Sequence, residues 1–402
     1  MKAINYLVLG LVCFGSLTLT AQKKTFTMAE AVNGLSSKLA VANWKQLQWA
    51  GEQYVYVVNT DSQHVVMSGD PKTRLTHELL SLAELNQALT QKGLHTLKAF
   101  PALTFKSETD FYFSNEQQYV ECIRRENTWE ATLITELPAD ADPVNVDAGS
   151  MHLAYISNDN LYIGGKDLPT RQLTQDGSRD IVYGDSIHRN EFGIEQCMFW
   201  SGSGTRLAFY RMDQSMVEAY PIINWNSTPA TVNKIRYPFA GRTSHQVQVG
   251  VYDINSGHIV YMQTGLPADQ YLTTVTWSPD EKYIYISLLN REQNHLRLNQ
   301  YDAHSGTLIK TLFEEQRDTY VEPQHPLYFL SGDPNHFLWW SQRDGYMHLY
   351  RCTTDGDIDT LMHGNWIVND ILGYNPKTSE LIYTGTEDSP LQKNVYAIHL
   401  NK

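Results

Sequence analysis

The chain has 402 residues, and its 44 acidic side chains outnumber its 31 lysines and arginines, which gives a formal net charge of -13. An acidic surface repels phosphate backbones, so this composition argues against nucleic-acid binding. Aromatic residues make up 11% of the chain, a content that suits pleated, half-buried surfaces better than helices.

The first residues have the pattern of a cleavable signal peptide. Lys2 supplies a positive charge, residues 6–19 form an apolar core, and Ala21 is a small residue suited to cleavage. The core is shorter than the roughly 20 apolar residues that span a bilayer. We therefore predict a signal peptide over residues 1–21. The mature chain, 22–402, is expected in the periplasm or outside the cell, with no membrane segment left after cleavage.

Three cysteines remain after that cleavage. An odd number, far apart in sequence, does not make a disulfide framework. We favour buried free thiols, and one bridge in an oxidising compartment is the alternative. The three residues are Cys122, Cys197 and Cys352.

Short strands separated by tight polar turns recur along the chain. Residues 271–313 contain four such strands at about ten-residue spacing, which is the pattern of an antiparallel meander and of one propeller blade. Equivalent apolar strands, seven in all, recur at intervals of about 54 residues, near a blade period. The fold class predicted is all-β, a β-propeller of four-stranded antiparallel blades. The strands that mark the repeats are 54–58, 111–113, 153–156, 207–210, 284–287, 337–340 and 381–383.

Two segments depart from this repeat. Ser81 and Glu84 form a capping box ahead of an apolar stripe, and Gly93 follows it, so one short helix is predicted near residues 81–92. The longest interval between repeats contains an additional segment from Tyr210 to Gln246. We interpret that segment as an arm or an extended hairpin.

Residue patterns for catalysis or metal binding are missing. A hydrolase nucleophile on a sharp elbow requires Gly-x-Ser-x-Gly, and residues 184–188 come nearest but fail at the last position. His77-Glu78 lacks the second histidine of a zinc motif. Residues 355–359 fit a hairpin tip better than a calcium loop. We predict no catalytic residue, metal or cofactor on this chain.

Several runs resemble the propeller half of the dipeptidyl peptidase IV family of the prolyl oligopeptidase clan. The specific ones are Arg211-Met212-Asp213, the run Asp-Gly-Tyr-Met-His-Leu-Tyr at 344–350, and Asn190-Glu191-Phe192-Gly193. The resemblance implies an eight-bladed propeller that caps an α/β-hydrolase domain, where the catalytic serine, aspartate and histidine lie. With seven repeats visible, we expect residues 22–402 to be an N-terminal propeller that is incomplete at its C-terminal end.

The same resemblance implies the site residues. In the family two adjacent glutamates bind the ammonium group at the free end of a peptide, and these positions are Asn190 and Glu191 here. A carboxylate gives strong charge-assisted bonds to an ammonium group, whereas asparagine offers only an uncharged carbonyl. A family arginine bonds the substrate's backbone carbonyl, and Arg124 or Arg125 lies in the appropriate blade.

The sequence leaves three interpretations open. The chain is the substrate-recognition part of a dipeptidyl peptidase, inactive alone because the catalytic domain is absent. Alternatively it is a non-catalytic peptide-binding or scaffolding propeller, or a poorly folded truncation product. The expected partners are peptides with a free amino end, and also a separately encoded hydrolase domain or a second copy of this chain.

Overall fold

The structure, a computed structural model, describes residues 25–34, 39–40, 43–60, 63–185 and 187–400. The predicted signal peptide lies outside the described residues. The chain divides into two compact units. The first covers Met1–Glu84 with Lys98–Phe100, and the second covers Leu85–Leu97 with Pro101–Lys402.

The first unit contains one antiparallel sheet of four strands in sequential order. Val55 and Val57 on its second strand are buried, as alternation of side chains across a strand requires. The strands are β1 (Lys45–Ala50), β2 (Gln53–Asn59), β3 (His64–Gly69) and β4 (Thr76–Ser81).

Two α-helices are present in the described residues, and the sequence predicted one of them. Helix α2 (Leu82–Gln91) follows the predicted capping box: the Ser81 N–H donates to the Glu84 carboxylate at 2.7 Å, and the Glu84 N–H donates to the Ser81 hydroxyl at 3.2 Å. Helix α1 (Met28–Asn33) was not predicted. Its six residues are too few to show helical periodicity, although Thr27 and Glu30 form a capping box there too.

The second unit contains six further sheets and one isolated hairpin, all antiparallel. Its strands are β5 (Leu103–Ser107), β6 (Asp110–Asn115), β7 (Gln118–Arg125), β8 (Thr128–Glu136), β9 (Val144–Asp147), β10 (His152–Ser157), β11 (Asn160–Gly165), β12 (Leu168–Gln172), β13 (Ile181–Tyr183), β14 (Met198–Trp200), β15 (Arg206–Asp213), β16 (Ala219–Asn224), β17 (Thr231–Arg236), β18 (Gln246–Asp253), β19 (Ile259–Tyr261), β20 (Tyr271–Trp277), β21 (Tyr283–Leu289), β22 (His295–Asp302), β23 (Leu308–Gln316), β24 (Tyr328–Leu330), β25 (Asp333–Ser341), β26 (His348–Thr353), β27 (Ile358–Thr360), β28 (Val368–Asn375), β29 (Glu380–Gly385) and β30 (Asn394–His399).

The predicted fold class, an all-β propeller, is confirmed. Residues 271–313 form the expected four-stranded meander, β20 to β23 in sequential order. Two sheets of the second unit depart from the four-stranded pattern. The sheet β13–β15–β18–β19 has β14 as a fifth strand, because a loop divides its first strand in two. The sheet β28–β29–β30 contains three strands among the described residues.

Consecutive sheets of the second unit pack face to face through β15 and its equivalents. Leu207 and Phe209 pack in the core cluster shared with β10 and β11. Ala208, Tyr210 and Met212 point to the other side, into the cluster shared with β20, β21 and β22. Because both faces are buried, the strand is a continuous apolar run rather than an alternating one. The three cysteines named above are free and buried.

The segment predicted as an arm or extended hairpin is a two-stranded hairpin, β16–β17, inserted between β15 and β18. Every residue of β16 is exposed. At the base of the hairpin the Arg236 guanidinium donates to the Asp180 carboxylate at 2.9 Å and to the Val217 carbonyl at 2.7 Å. The bond to Asp180 holds the base of the hairpin beside the start of β13.

Candidate functional site

The predicted amine-binding residues lie in a loop, residues 184–197, that separates β13 from β14. Both short strands pair with β15: Ile181 is opposite Asp213, and Trp200 is opposite Leu207. Between them the Tyr210 N–H still bonds to the Cys197 carbonyl at 3.0 Å. The loop is therefore an insertion within one edge strand, and both of its ends are held by β15.

The backbone of this loop, hereafter the 184–197 loop, is unusual. Apart from residue 186, which the structure does not describe, four non-glycine residues of the loop have positive φ: His188 at 49°, Arg189 at 61°, Asn190 at 59° and Phe192 at 57°. Each such residue carries a steric cost, because its Cβ crowds the backbone. Strain of this kind persists only where the surroundings hold it in place, and it is common at functional sites.

A pair of buried histidines holds the start of the loop. The Leu272 N–H donates to His188 Nε2 at 3.0 Å, so the proton of that imidazole must be on Nδ1. His188 Nδ1 lies 2.8 Å from His245 Nε2 and donates to it. The second ring therefore has its own proton on Nδ1, and His245 Nδ1 is buried without a partner among the described residues.

Burial keeps both rings neutral at pH 7. Desolvation, with the neighbouring charge of Arg291, holds the pKa of His188 well below its ordinary value. Desolvation, with the charges of Arg189 and Arg291, lowers the pKa of His245 to about 4. The pair thus acts as two neutral imidazoles that connect the loop to β20.

Glu191 lines a cavity of about 400 Å³, which we call the Glu191 cavity. Tyrosine, phenylalanine, histidine and arginine side chains form most of its wall. Glu191 is the one carboxylate among the residues that line it, and no cation of the described residues lies within ion-pair distance of it. The lining residues are His188, Arg189, Glu191, Tyr237, Pro238, Phe239, Ala240, His245, Tyr271, Arg291 and Gln293.

The two arginines of this cavity have neutral partners. The Arg189 guanidinium donates to the Gln214 side-chain oxygen at 2.7 Å and to the Arg236 carbonyl at the base of the hairpin. The Arg291 guanidinium donates to the Tyr271 hydroxyl and lies 5.5 Å from the centre of that ring. Burial lowers the pKa of Arg189, and Tyr237 and Asp185 oppose that effect.

Asn190 does not share the cavity of its neighbour. It lines a separate space of about 440 Å³, the Asn190 cavity, together with Asp185 and Glu195. Asn190 and Phe192 are both left-handed on either side of Glu191, which directs consecutive side chains to different surroundings. The two predicted amine-binding residues are adjacent in sequence but face different cavities.

Arg124 and Arg125 lie at the end of β7, where the chain turns into β8. The Arg124 guanidinium lies 6.0 Å from the centre of the Trp129 ring, and its backbone N–H bonds to the Thr109 carbonyl. Arg125 forms an exposed ion pair with Glu130 at 3.3 Å. Neither arginine is among the residues that line the Glu191 cavity or the Asn190 cavity.

Sequence reasoning assigned no role to Arg189, His245 and Arg291. A single sequence has no signal that joins residues 189, 245 and 291. In the described part of the chain, no group of three or more His, Cys, Asp or Glu side chains is arranged to hold a metal ion. No helix among the described residues is long and apolar enough to cross a membrane.

Comparison with known proteins identifies relatives of this fold. The family model described as "Dipeptidyl peptidase IV (DPP IV) N-terminal region" matches residues 98–402. A fungal protein named probable dipeptidyl-aminopeptidase B, from Tuber melanosporum, is 29% identical over 289 residues, which are 62% of this chain and 31% of the relative. Its namesake from Coccidioides posadasii is 24% identical over 377 residues, covering 84% of this chain and 41% of the relative.

Two crystal structures are similar. A Bacteroides ovatus structure that carries the name dipeptidyl aminopeptidase IV has a TM-score of 0.82 and 33% identity, covering 90% of this chain and 52% of that one. The Porphyromonas gingivalis dipeptidyl peptidase 4 structure, at 20% identity and a TM-score of 0.75, covers 94% of this chain and 55% of that one and supports the fold alone. The chain thus spans about half of these structures and less than half of the fungal relatives. By its match over residues 98–402, the chain belongs to the family of dipeptidyl peptidase IV N-terminal regions.

Proposed function

We propose that this chain is the substrate-recognition region of a dipeptidyl peptidase IV-like serine exopeptidase, and that Glu191 binds the ammonium group of a peptide's free amino end. The observation that carries the proposal is the Glu191 carboxylate itself. It lines a cavity of about 400 Å³ and has no cation of the described residues within ion-pair distance.

The chemistry follows from the groups present. An ammonium group has three donors, and a carboxylate accepts them in charge-assisted bonds that are stronger than neutral ones. The rings of Tyr237 and Tyr271 line the same cavity and provide apolar contact for the first side chain of a peptide. A peptide whose amino end is blocked loses the charge that Glu191 attracts, so the site selects free amino ends.

The other predicted residues keep the roles that the family resemblance implies. Asn190 as a second, uncharged acceptor for the ammonium group stays a prediction, and it requires the Asn190 side chain to turn from the Asn190 cavity toward Glu191. We keep the prediction that Arg124 or Arg125 binds a backbone carbonyl of the substrate. It requires the peptide to extend from Glu191 to the end of β7.

Calorimetry with paired peptides tests the proposal. The tripeptide amide Ala-Pro-Ala should bind with its amino end free and should lose at least about tenfold in affinity when that end is acetylated. Glu191→Gln should weaken binding of the free peptide by about 10- to 100-fold, because it removes the charge and keeps the shape. Glu195→Gln is the matched control, since Glu195 lies in the same loop but lines other cavities.

The proposal is wrong if the acetylated peptide binds as tightly as the free one. It is also wrong if Glu191→Gln and Glu195→Gln have equal effects.

We also propose that the protein is exported, on the basis of the predicted signal peptide. Expression of the full chain in a bacterium, followed by fractionation and amino-terminal sequencing, should give a periplasmic product that begins at Gln22. A cytoplasmic product that retains residues 1–21 would contradict this.

A further inference from the structure

The wall of the Glu191 cavity has an excess of positive charge. Arg189 and Arg291 are cations, and Glu191 is the one carboxylate among the lining residues. His188 and His245 add no charge, because burial keeps both imidazoles neutral at pH 7. A peptide ammonium group bound to Glu191 would add another cation to this wall, and the two guanidinium groups would have no counter-ion there.

The guanidinium groups also have unused hydrogen-bonding capacity. Arg189 Nε is buried without a partner among the described residues, although one terminal nitrogen, Nη2, donates to the Gln214 side-chain oxygen and to the Arg236 carbonyl. Arg291 has an uncharged oxygen, the Tyr271 hydroxyl, as its partner. A guanidinium has five N–H donors, so both residues retain donors for a further acceptor.

The histidine pair is a second, independent observation. The side chain of His245 lines the cavity and is only 3% exposed, and its Nδ1 has no partner among the described residues. The bond from the Leu272 N–H fixes the protons along the pair, so this Nδ1 carries a hydrogen. Buried donors are nearly always paired in folded proteins, so an unpaired donor beside two guanidinium groups indicates a missing acceptor.

We propose that Arg189 and Arg291 form an anion subsite that binds the side-chain carboxylate of an aspartate or glutamate at the first position of the peptide. The proposal rests on the function proposed above, in which Glu191 binds the amino group of that same residue. An acidic first residue carries its positive and negative groups only a few bonds apart. It therefore matches a cavity whose wall presents one carboxylate and two guanidinium groups.

The geometry assigns unequal roles to the two arginines. Arg189 is held by the base of the β16–β17 hairpin, so it is the less adjustable of the two. Arg291 is held by one phenol and is the group whose donors are free to turn toward a ligand. Planar guanidinium groups bind carboxylates through two parallel bonds, which a lysine cannot reproduce.

The test compares acidic peptides with their uncharged isosteres. C-terminal amides are used, so that the first side chain is the sole carboxylate of the ligand. In the unmodified chain, Glu-Pro-Ala amide should bind about tenfold more tightly than Gln-Pro-Ala amide, or Asp-Pro-Ala amide about tenfold more tightly than Asn-Pro-Ala amide.

Variants test whether Arg291 causes the difference in affinity between acidic and uncharged peptides. Arg291→Met should reduce the ratio of acidic to uncharged affinity to about 1, and Arg291→Lys should leave an intermediate ratio because it keeps the charge. Arg317→Met is the matched control, since Arg317 lines a different cavity, and it should keep the original ratio. Melting temperatures of all variants show whether they fold. If Arg291→Met does not fold, the Lys variant and the unmodified chain still decide the question.

The outcomes separate the two proposals. If free Gln-Pro-Ala amide binds, its acetylated form does not, and both isostere ratios equal 1, the anion subsite is wrong and amine recognition stands. If acetylated and free peptides bind equally, amine recognition by Glu191 is wrong, whatever the isostere ratio. A ratio of about 10 that Arg291→Met leaves intact also overturns the anion subsite.

Discussion

At Gly193 the 184–197 loop packs closely against the backbone of another segment, and replacing this glycine tests whether that contact positions Glu191. Its φ is +69°, and a Cβ placed on it would lie 1.9 Å from the Gln324 carbonyl oxygen and 2.7 Å from the carbonyl carbon. The atoms in the way belong to the backbone, so no side-chain rotation relieves the clash. Alanine at this position must therefore displace the loop or the segment around Gln324.

We predict that Gly193→Ala lowers the free energy of unfolding by about 2–5 kcal/mol. About 1–2 kcal/mol comes from placing a Cβ in the left-handed region, and about 1–3 kcal/mol comes from overpacking against the backbone. Gly257→Ala is the matched control. That glycine has a φ of +73° and open space around its Cβ position. Its replacement should therefore lower the free energy of unfolding only by the cost of a Cβ in the left-handed region, about 1–2 kcal/mol.

Urea unfolding followed by tryptophan fluorescence measures both losses. Peptide calorimetry on the same variants measures the functional consequence, since Glu191 lies two residues before Gly193. We expect Gly193→Ala to weaken binding of Ala-Pro-Ala amide and Gly257→Ala to leave it unchanged. Equal losses of stability in the two variants would refute the close contact. A destabilised Gly193→Ala that binds the peptide normally would refute the positioning role.

Three further predictions follow from buried ionisable groups. Burial raises the pKa of the Cys122 and Cys352 thiols to about 12 and that of Cys197 to about 11, so a disulfide-exchange reagent at pH 8 should label these thiols only after unfolding. The pKa of His245 is about 4 in the folded chain against an ordinary 6.5, so its contribution to stability is complete above pH 6.5 and decreases as the pH falls toward 4. Between pH 7.5 and pH 5 His245 should contribute about 2 kcal/mol to the loss measured by urea unfolding, in addition to the loss from His188, whose pKa is also lowered. His245→Gln should therefore reduce the pH dependence, while His304→Gln, in an exposed turn, should leave it unchanged. Glu121 is buried, with the ammonium group of Lys106 at 2.5 Å and that of Lys166 at 2.7 Å. Glu121→Ala should lower the free energy of unfolding by about 1.5–3 kcal/mol, because Lys106 keeps Asp110 at 2.9 Å and Lys166 is partly exposed, and a loss below about 1 kcal/mol would contradict a stabilising role for these bonds.

The strands could be predicted because their signals are local. The four strands predicted within residues 271–313 are present as β20 to β23. The capping box at Ser81 and Glu84 likewise acts over three residues and was confirmed in every bond. Helix α1 was not predicted, because its six residues are too few to show helical periodicity. The division of one edge strand into β13 and β14 left no local signal either.

The candidate site was predictable only in part. Resemblance to a family selected Glu191, and the structure gives that residue a cavity. The resemblance could not show that Asn190 faces a different cavity, because the direction of each side chain depends on the left-handed backbone from His188 to Phe192. Nor could it select His245 or Arg291, which join the site from other strands and loops.

The amino-acid sequence alone determined that this chain is a series of antiparallel blades with one inserted hairpin, because turn residues and strand periodicity act over fewer than ten residues. It also determined the family, since the runs around Glu191 and Arg211 are specific. Only the tertiary structure decided which groups share the Glu191 cavity. Residues 188, 245 and 291 meet there because β15 and β20 pack face to face, and that proximity depends on the packing of whole sheets rather than on any spacing in the chain.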